Sequence, residues 1–93
     1  MIPNKIDVAG IIYGVEEKEG LVLETGNLGE VIYALTQIRI ESNCSASKKE
    51  QIFVHEMLHA IFKESGYDEQ DEDMINRVSI TLYQVLKNNK LEF

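Results

Sequence analysis

The hydrophobic positions divide the chain into two halves with different periodicities. Up to about residue 43 they alternate with polar positions in short runs, which is typical of half-buried β-strands. From residue 47 onward they recur every three or four positions, the spacing of an amphipathic helix. The pattern therefore predicts an α+β fold in which a small sheet precedes two packed helices. At 93 residues, we expect a single domain over 1–93.

The first half predicts an antiparallel sheet of three or four strands. Gly10 is expected to form a bulge within the first strand, and the charged cluster 16–20 and the glycines near Gly26 to form turns. Short connections favour an antiparallel meander, because a parallel crossover needs a dozen or more residues. The predicted strands cover 5–15, 21–24, 31–33 and 37–41.

The second half predicts two helices. Ser47 opens a Ser-x-x-Glu capping box, so the first helix is expected to begin there and to end near Ser65, where Gly66 can take a left-handed conformation. The second helix is expected to begin in the acidic group 68–73 and to end near Lys87. The predicted apolar faces are Val54, Met57, Leu58, Ile61 and Phe62 in the first helix and Ile75, Val78, Leu82, Val85 and Leu86 in the second.

Composition narrows the classes of function. The chain is 44% hydrophobic and 27% charged, which is ordinary for a globular protein. Its net charge is −7, and no run of Lys or Arg is long enough to follow a phosphate backbone, so we expect no direct binding of nucleic acid. No stretch resembles a signal peptide or a membrane span, and the single Cys44 cannot form an internal disulfide. We therefore expect a cytoplasmic protein that does not bind membranes.

The residues His55-Glu56-Met57-Leu58-His59 form a His-Glu-x-x-His motif within the first predicted helix. Residues four apart lie above one another on a helix, so the two imidazoles converge on one point, which can hold a metal ion. Glu56 is placed to reach a water molecule rather than the metal, as a general base must. The chain has no other histidine.

A catalytic zinc site needs three protein ligands and an open position, so one ligand must come from outside the motif. Cys44 is expected to be inert, and the short connection at Gly66 folds the second helix back beside the histidines. The candidates there are Asp68, Glu69, Asp71, Glu72 and Asp73. Glu72 is preferred because Asn76 lies one turn further on, within reach of the second ring nitrogen of a histidine. Asp71 and Asp73 stay open as alternatives.

From the His-Glu-x-x-His motif through Glu72-Asp73-Met74-Ile75-Asn76, the chain resembles the small zinc metallopeptidases of phages, prophages and other mobile elements. These are related to the ImmA/IrrE group, which pairs such a helix with a second helix carrying Glu-x-x-x-Asn. The strands around Gly29 and the segment Leu82-Tyr83-Gln84 also resemble the phage-type members. The resemblance covers about two thirds of the chain, and its first motif is the most specific part.

The resemblance implies a minimal gluzincin-like metalloprotease fold and a protein substrate inside the cell. In ImmA-like members that substrate is a repressor protein of the mobile element. His55, His59 and Glu72 would hold Zn²⁺, and Glu56 would act as the general base. Larger members carry an attached helix-turn-helix or sensory domain, which this chain is expected to lack, so substrate choice and regulation stay open.

In the mechanism that follows, zinc lowers the pKa of a water molecule and polarises the scissile carbonyl, while Glu56 moves the proton of the water to the leaving amine. An exposed edge strand, at 31–33 or 37–41, could align the substrate backbone. Four tyrosines are candidates for stabilising the oxyanion, and none is preferred: Tyr13, Tyr33, Tyr67 and Tyr83.

Two other functions match part of the pattern. The histidine pair followed by Gly66-Tyr67-Asp68 is similar to the YbeY-type metal-dependent ribonucleases, but that family has a third histidine and a glycine in place of Glu56. An acidic chain is also a poor RNA binder. A non-catalytic module whose zinc only stabilises the fold needs no base and prefers four ligands. A zinc metallopeptidase acting on a protein or peptide is therefore the predicted function.

Overall fold

Four strands and three helices make up the structure, a computed structural model that describes residues 1–93. In chain order they are β1 (Lys5–Val8), β2 (Ile11–Lys18), α1 (Leu21–Thr25), β3 (Gly29–Ile32), β4 (Gln37–Glu41), α2 (Ala46–Glu64) and α3 (Glu72–Asn89), with a 3₁₀ turn over Tyr33–Leu35. The predicted α+β class, with two long helices after the sheet, is confirmed. Neither long helix has an apolar stretch that could cross a bilayer.

The predicted first strand is in fact a hairpin. Ala9 and Gly10 have φ angles of 54° and 86°, and they close a two-residue turn between β1 and β2. The side chain of Asp7 accepts a hydrogen bond from the Gly10 amide at 2.7 Å. The predicted bulge is therefore wrong, and β2 continues into the charged cluster where a turn was expected. The sequence did not predict this turn because left-handed positions usually contain Gly, Asn or Asp, whereas position 9 is an alanine.

The predicted strand over 21–24 is a short helix, α1, and Glu41 of β4 explains the difference. The buried carboxylate of Glu41 accepts hydrogen bonds from the amides of Val22 at 3.0 Å, Asn43 at 3.1 Å and Gly20 at 3.3 Å. The first N–H groups of a helix have no partner within the helix, and the Glu41 carboxylate accepts a hydrogen bond from one of them. These hydrogen bonds, first that from Val22, lower the pKa of Glu41. The local pattern cannot reveal a partner that comes from another strand.

The sheet is mixed, with strand order β1-β2-β4-β3, and the predicted antiparallel meander is wrong. β1 with β2 and β3 with β4 pair antiparallel, but β2 and β4 pair parallel, from Gly14 opposite Gln37 to Lys18 opposite Glu41. Together α1, β3 and the 3₁₀ turn form a single crossover that is long enough to return the chain in the same direction. β3 is therefore an edge strand, whereas β4 lies inside the sheet.

The main core lies between the sheet and one face of α2. It consists of Val8, Tyr13, Ile38 and Ile40 from the sheet and Ile52, Phe53, Val54 and Ala60 from α2. α3 packs against α2 and buries only Ile75 and Ser79. The predicted apolar face of α3 is therefore partly wrong, since Val78 and Leu86 are exposed. Ser79, and not Val78, is buried on the face of α3 that packs against α2.

Glu50 joins α2 to α3 instead of completing a capping box. Ser45, not Ser47, caps α2, because its hydroxyl accepts a hydrogen bond from the Lys48 amide at 3.2 Å. The Glu50 carboxylate accepts hydrogen bonds from the Tyr83 hydroxyl at 2.7 Å and from a lysine ammonium of α3 at 2.9 Å. Hydrogen bonding, first by Tyr83, then by the chain's terminal ammonium and that lysine, lowers the pKa of Glu50 from 4.5 to about 2.

We expect acid to weaken this contact between the helices. The unfolded chain protonates Glu50 near pH 4.5, whereas the folded protein keeps it ionised down to about pH 2. The stabilisation is therefore complete above pH 4.5 and is lost as the pH falls toward 2. In Glu50→Gln, the free energy of unfolding, measured by urea titration, should fall less steeply across this range than in the wild type. Glu19→Gln removes an exposed carboxylate and should keep the wild-type slope; an unchanged slope in Glu50→Gln would contradict the assignment.

Candidate metal centre

The two histidines of α2 and the first residue of α3 converge. His55 Nε2 lies 2.9 Å from Glu72 Oε1, and His59 Nε2 lies 2.9 Å from Glu72 Oε2. One ligand atom from each of the three residues lies within 4.8 Å of the others. The structure thus brings together the three residues that the sequence predicted as metal ligands.

The other ring nitrogen of each histidine has its own partner. His59 Nδ1 lies 2.7 Å from Gln70 Oε1, which must accept, because Gln70 Nε2 donates to the His59 carbonyl at 3.3 Å. His55 Nδ1 lies 3.4 Å from the hydroxyl of Ser79, whose proton goes to the Asn76 carbonyl at 2.9 Å. Both Nδ1 atoms are therefore N–H donors, which leaves both Nε2 atoms available to a metal.

This arrangement fits a metal ion. With the protons on Nδ1, the two Nε2 lone pairs face a carboxylate, and these acceptors repel one another unless a cation lies between them. Either a second proton on each imidazole or a divalent metal would supply the positive charge. Two imidazole nitrogens and one carboxylate are the ligand set of many catalytic zinc sites. The chemistry of these groups is thus compatible with the predicted Zn²⁺.

Three of the four competing carboxylates have partners elsewhere. Asp71 caps α3, and its side chain accepts a hydrogen bond from the Asp73 amide at 3.0 Å. Asp73 itself forms an ion pair one turn further along α3 at 3.1 Å, and Asp68 pairs with Lys63 at 2.7 Å. These contacts favour Glu72 over the alternatives, because only its carboxylate turns to the histidines.

Glu56 lies next to these groups without being one of them. Glu56 is 8% exposed and lines the same cavity as the histidines. Burial, and then the negative charges of Glu72 and Glu30, raise the pKa of Glu56 from 4.5 to about 8. A cation held by the histidines would oppose the contribution of Glu72. A carboxyl group with a pKa in this range is suited to accept and return a proton near neutral pH.

A cavity of about 680 Å³ opens over these groups. His55, Glu56 and Glu72 line it from the helices, and Leu28 and Gly29 line it from the side of β3. Its volume is within the range of clefts that bind small molecules or short peptide segments. The candidate ligands and the candidate base therefore face a common space that a substrate could enter.

The strand edge beside this cavity has unpaired backbone groups. The Glu41 amide donates to the Leu28 carbonyl, so in the antiparallel register every second residue from Leu28 directs its backbone toward β4. The N–H and C=O groups of Gly29 and Val31 consequently point away from the sheet. An extended peptide could pair with them as an added strand.

Gln70 and Ser79 hold the histidines, a role that the sequence assigned to Asn76. The side chain of Asn76 lines the cavity, but the partner of His55 Nδ1 is the Ser79 hydroxyl, so that prediction is wrong. Ser79 follows Glu72 by two helical turns, and this spacing could have revealed it. Gln70 lies in the loop before α3, where no periodic pattern predicts which way its side chain points.

The tyrosines do not supply an evident oxyanion partner. Tyr13 and Tyr83 donate their hydroxyl groups to carboxylates elsewhere in the fold, and Tyr67 packs against an aromatic ring of α2. Tyr33 accepts a hydrogen bond from Gln70 at 3.2 Å, on the Nδ1 side of a histidine. Tyr33 is therefore the one tyrosine of the four with a link to the site, and that link is through Gln70.

We expect Gln70→Ala to weaken zinc binding by about 10- to 100-fold, since outer partners of metal-binding histidines typically contribute that much. Loss of the 2.7 Å contact frees the His59 ring to rotate and to change tautomer. Competition with a chelator at fixed pH would measure the affinity. Glu69→Ala, at an exposed neighbouring position, is the matched control and should bind as the wild type. Equal affinity in Gln70→Ala and the wild type would show that this contact does not orient His59.

Comparison with protein-family models, with curated proteins and with solved structures finds no match to this chain. The resemblance to phage-type metallopeptidases therefore depends on the sequence motifs alone.

Proposed function

We propose that the protein is a zinc-dependent metallopeptidase that hydrolyses peptide bonds of a protein substrate in the cytoplasm. The observation that carries the proposal is that His55, His59 and Glu72 converge while a separate buried carboxylate, Glu56, faces the same cavity. A site that only stabilises the fold has no use for such a base and would close its shell with a fourth ligand. Three candidate ligands gather here, and all of them line the open cavity.

Zinc held by His55, His59 and Glu72 would lower the pKa of a water molecule and polarise the carbonyl group of the scissile peptide. Glu56 takes a proton from the attacking water and delivers it to the nitrogen of the leaving amine as the C–N bond breaks. Its carboxylate is free for this exchange because no protein group donates a hydrogen bond to it. Gln70 keeps the His59 ring in the required orientation through Nδ1.

The unpaired edge of β3 supports a peptide as the substrate. A segment that pairs with the backbone groups of Gly29 and Val31 lies along the cavity, which brings one of its peptide bonds near Glu56. Main-chain pairing provides affinity but does not select a sequence, so selectivity depends on the side chains that line the cavity. Leu28 and Ile80 are the apolar residues at its exposed rim. A repressor of a mobile element, which the resemblance implies, is one substrate to test.

The proposal is tested by comparing the proteins cleaved in cells that express the wild type with those cleaved in cells that express Glu56→Gln. Fragments found only with the wild type identify candidate substrates. The purified wild type should cleave these substrates with zinc and should stop after chelation. Identical fragments in both cells, and no cleavage by the purified protein, would contradict the proposal. Zinc binding without cleavage would then favour the non-catalytic module.

A further inference from the structure

Gly29 of β3 lies directly against the side chain of Glu56. A side-chain carbon at position 29 would lie 2.8 Å from Glu56 Oε2, 3.1 Å from Glu56 Cγ and 2.5 Å from Ile52 Cγ2. Non-bonded carbon atoms are normally about 3.5–4.0 Å apart. Position 29 therefore has no room for a side chain as long as Ile52 and Glu56 keep their places.

The carboxylate of Glu56 has no hydrogen-bond partner in the protein to hold it. A glutamate side chain has several rotamers of similar energy, and packing must select among them where hydrogen bonds do not. The side chain of Glu56 is almost completely covered, and the backbone of Gly29 forms part of that cover. The close approach of β3 therefore restricts the directions that this carboxylate can take.

Backbone conformation does not explain a glycine at this position. Gly10, Gly20, Gly26 and Gly66 have positive φ angles, but Gly29 does not. Any residue could therefore adopt the backbone of Gly29, and a glycine inside a strand normally weakens the strand. A close approach of another group is the usual alternative reason for a strand glycine, and here the approaching groups are Ile52 and Glu56.

We propose that Gly29 is a positioning residue for Glu56: because it lacks a side chain, β3 approaches α2 closely enough to direct the Glu56 carboxylate into the cavity. The catalytic consequence rests on the proposed peptidase function, whereas the contact itself does not. The same residue presents its free N–H and C=O groups at the edge of the sheet. Gly29 would therefore lie against the general base on one side and pair with a substrate strand at the edge of the sheet.

The first test measures activity. Gly29→Ala should lower kcat for fluorescently labelled casein by about 100-fold, the usual effect of moving a catalytic group by about 1 Å. Zinc affinity should stay near that of the wild type, because the three atoms nearest to the added carbon belong to Ile52 and Glu56 and not to a candidate ligand. A purely structural defect would not separate kcat from zinc binding in this way. Gly14→Ala is the matched control, since its added carbon would meet only the movable end of the Gln37 side chain, and it should keep wild-type activity.

The second test does not depend on activity. Gly29→Ala is measured by thermal unfolding in the wild-type protein and in Glu56→Ala. The contact with Ile52 is present in both backgrounds and cancels, so the difference reports the contact with Glu56. We expect Gly29→Ala to lower Tm by several degrees more when Glu56 is present.

The two tests separate the two proposals. Equal losses of Tm in both backgrounds, or normal kcat in Gly29→Ala, would overturn the role of Gly29. Unequal losses in a protein whose wild type cleaves nothing would support the contact and count against the peptidase. If only the double variant folds, the contact is supported. If neither variant folds, the cycle is repeated with Ile52→Ala, which removes the other close contact, and equal losses there would overturn the proposal.

Discussion

Glu56→Gln is expected to abolish peptide hydrolysis while zinc stays bound. The amide has the shape of the carboxylate, so it fits against Gly29, but it cannot accept the proton of the attacking water. General base catalysis contributes about 10²- to 10⁴-fold, and the rate should fall by at least that much. Zinc content should be unchanged, because His55, His59 and Glu72 keep their positions. Cleavage of labelled casein or of a cellular substrate, together with metal analysis, measures both effects.

Glu69→Gln provides the control for this prediction, because it makes the same chemical change on an exposed side chain of the loop before α3. It should keep both the zinc and the activity of the wild type. Glu56→Gln protein that retains most of the wild-type rate would show that another group takes the proton. The assignment of Glu56 as the base would then be wrong, even if the metal site is correct.

His59→Ala is expected to lose zinc and, with it, much of the stability of the fold. A ligand that binds only the folded state stabilises it by about 4 kcal/mol when its concentration is 1,000 times its Kd. Adding zinc to the metal-free wild type should therefore raise Tm by several degrees, and the same addition should leave Tm of His59→Ala unchanged. Thermal unfolding with zinc and with chelator, combined with metal analysis, measures this.

The same experiment identifies the carboxylate ligand. Glu72→Ala should behave as His59→Ala does, whereas Asp73→Ala should keep full zinc occupancy because Asp73 forms an ion pair along α3 instead. Full occupancy in Glu72→Ala would show that the third ligand has been assigned wrongly. Loss of zinc in Asp73→Ala but not in Glu72→Ala would exchange the two assignments.

Local periodicity was sufficient for the two long helices and for the first half of the site. The spacing of His55 and His59 places two imidazoles on one face of any helix, whatever surrounds it. The short loop that folds α3 back along α2 placed the acidic group 68–73 near the histidines, but the choice of Glu72 within that group was made on Asn76, which is not the partner of His55. These inferences succeed because each depends on residues that are close in the chain.

Apart from the hairpin turn at Ala9 and the helix cap at Ser45, the errors fall where distant residues decide the structure. The carboxylate of Glu41 determines that residues 21–25 are helical, and the parallel pairing of β2 with β4 determines that β3 is at the edge. Gln70 reaches His59 from a loop, where no periodic pattern gives the direction of a side chain. The contact of Glu56 with Gly29 also depends on how closely a strand approaches a helix, which composition and spacing do not specify.

The attachment of α3 has a consequence for how the molecule responds to its surroundings. This helix buries only two of its residues, and polar contacts to α2 supplement that small apolar contact near both of its ends, at Glu72 and through the partners of Glu50. An ion bound by the histidines and Glu72 would link α2 to α3. Binding of a metal there would therefore strengthen the attachment of α3 to α2 as well as complete the proposed site.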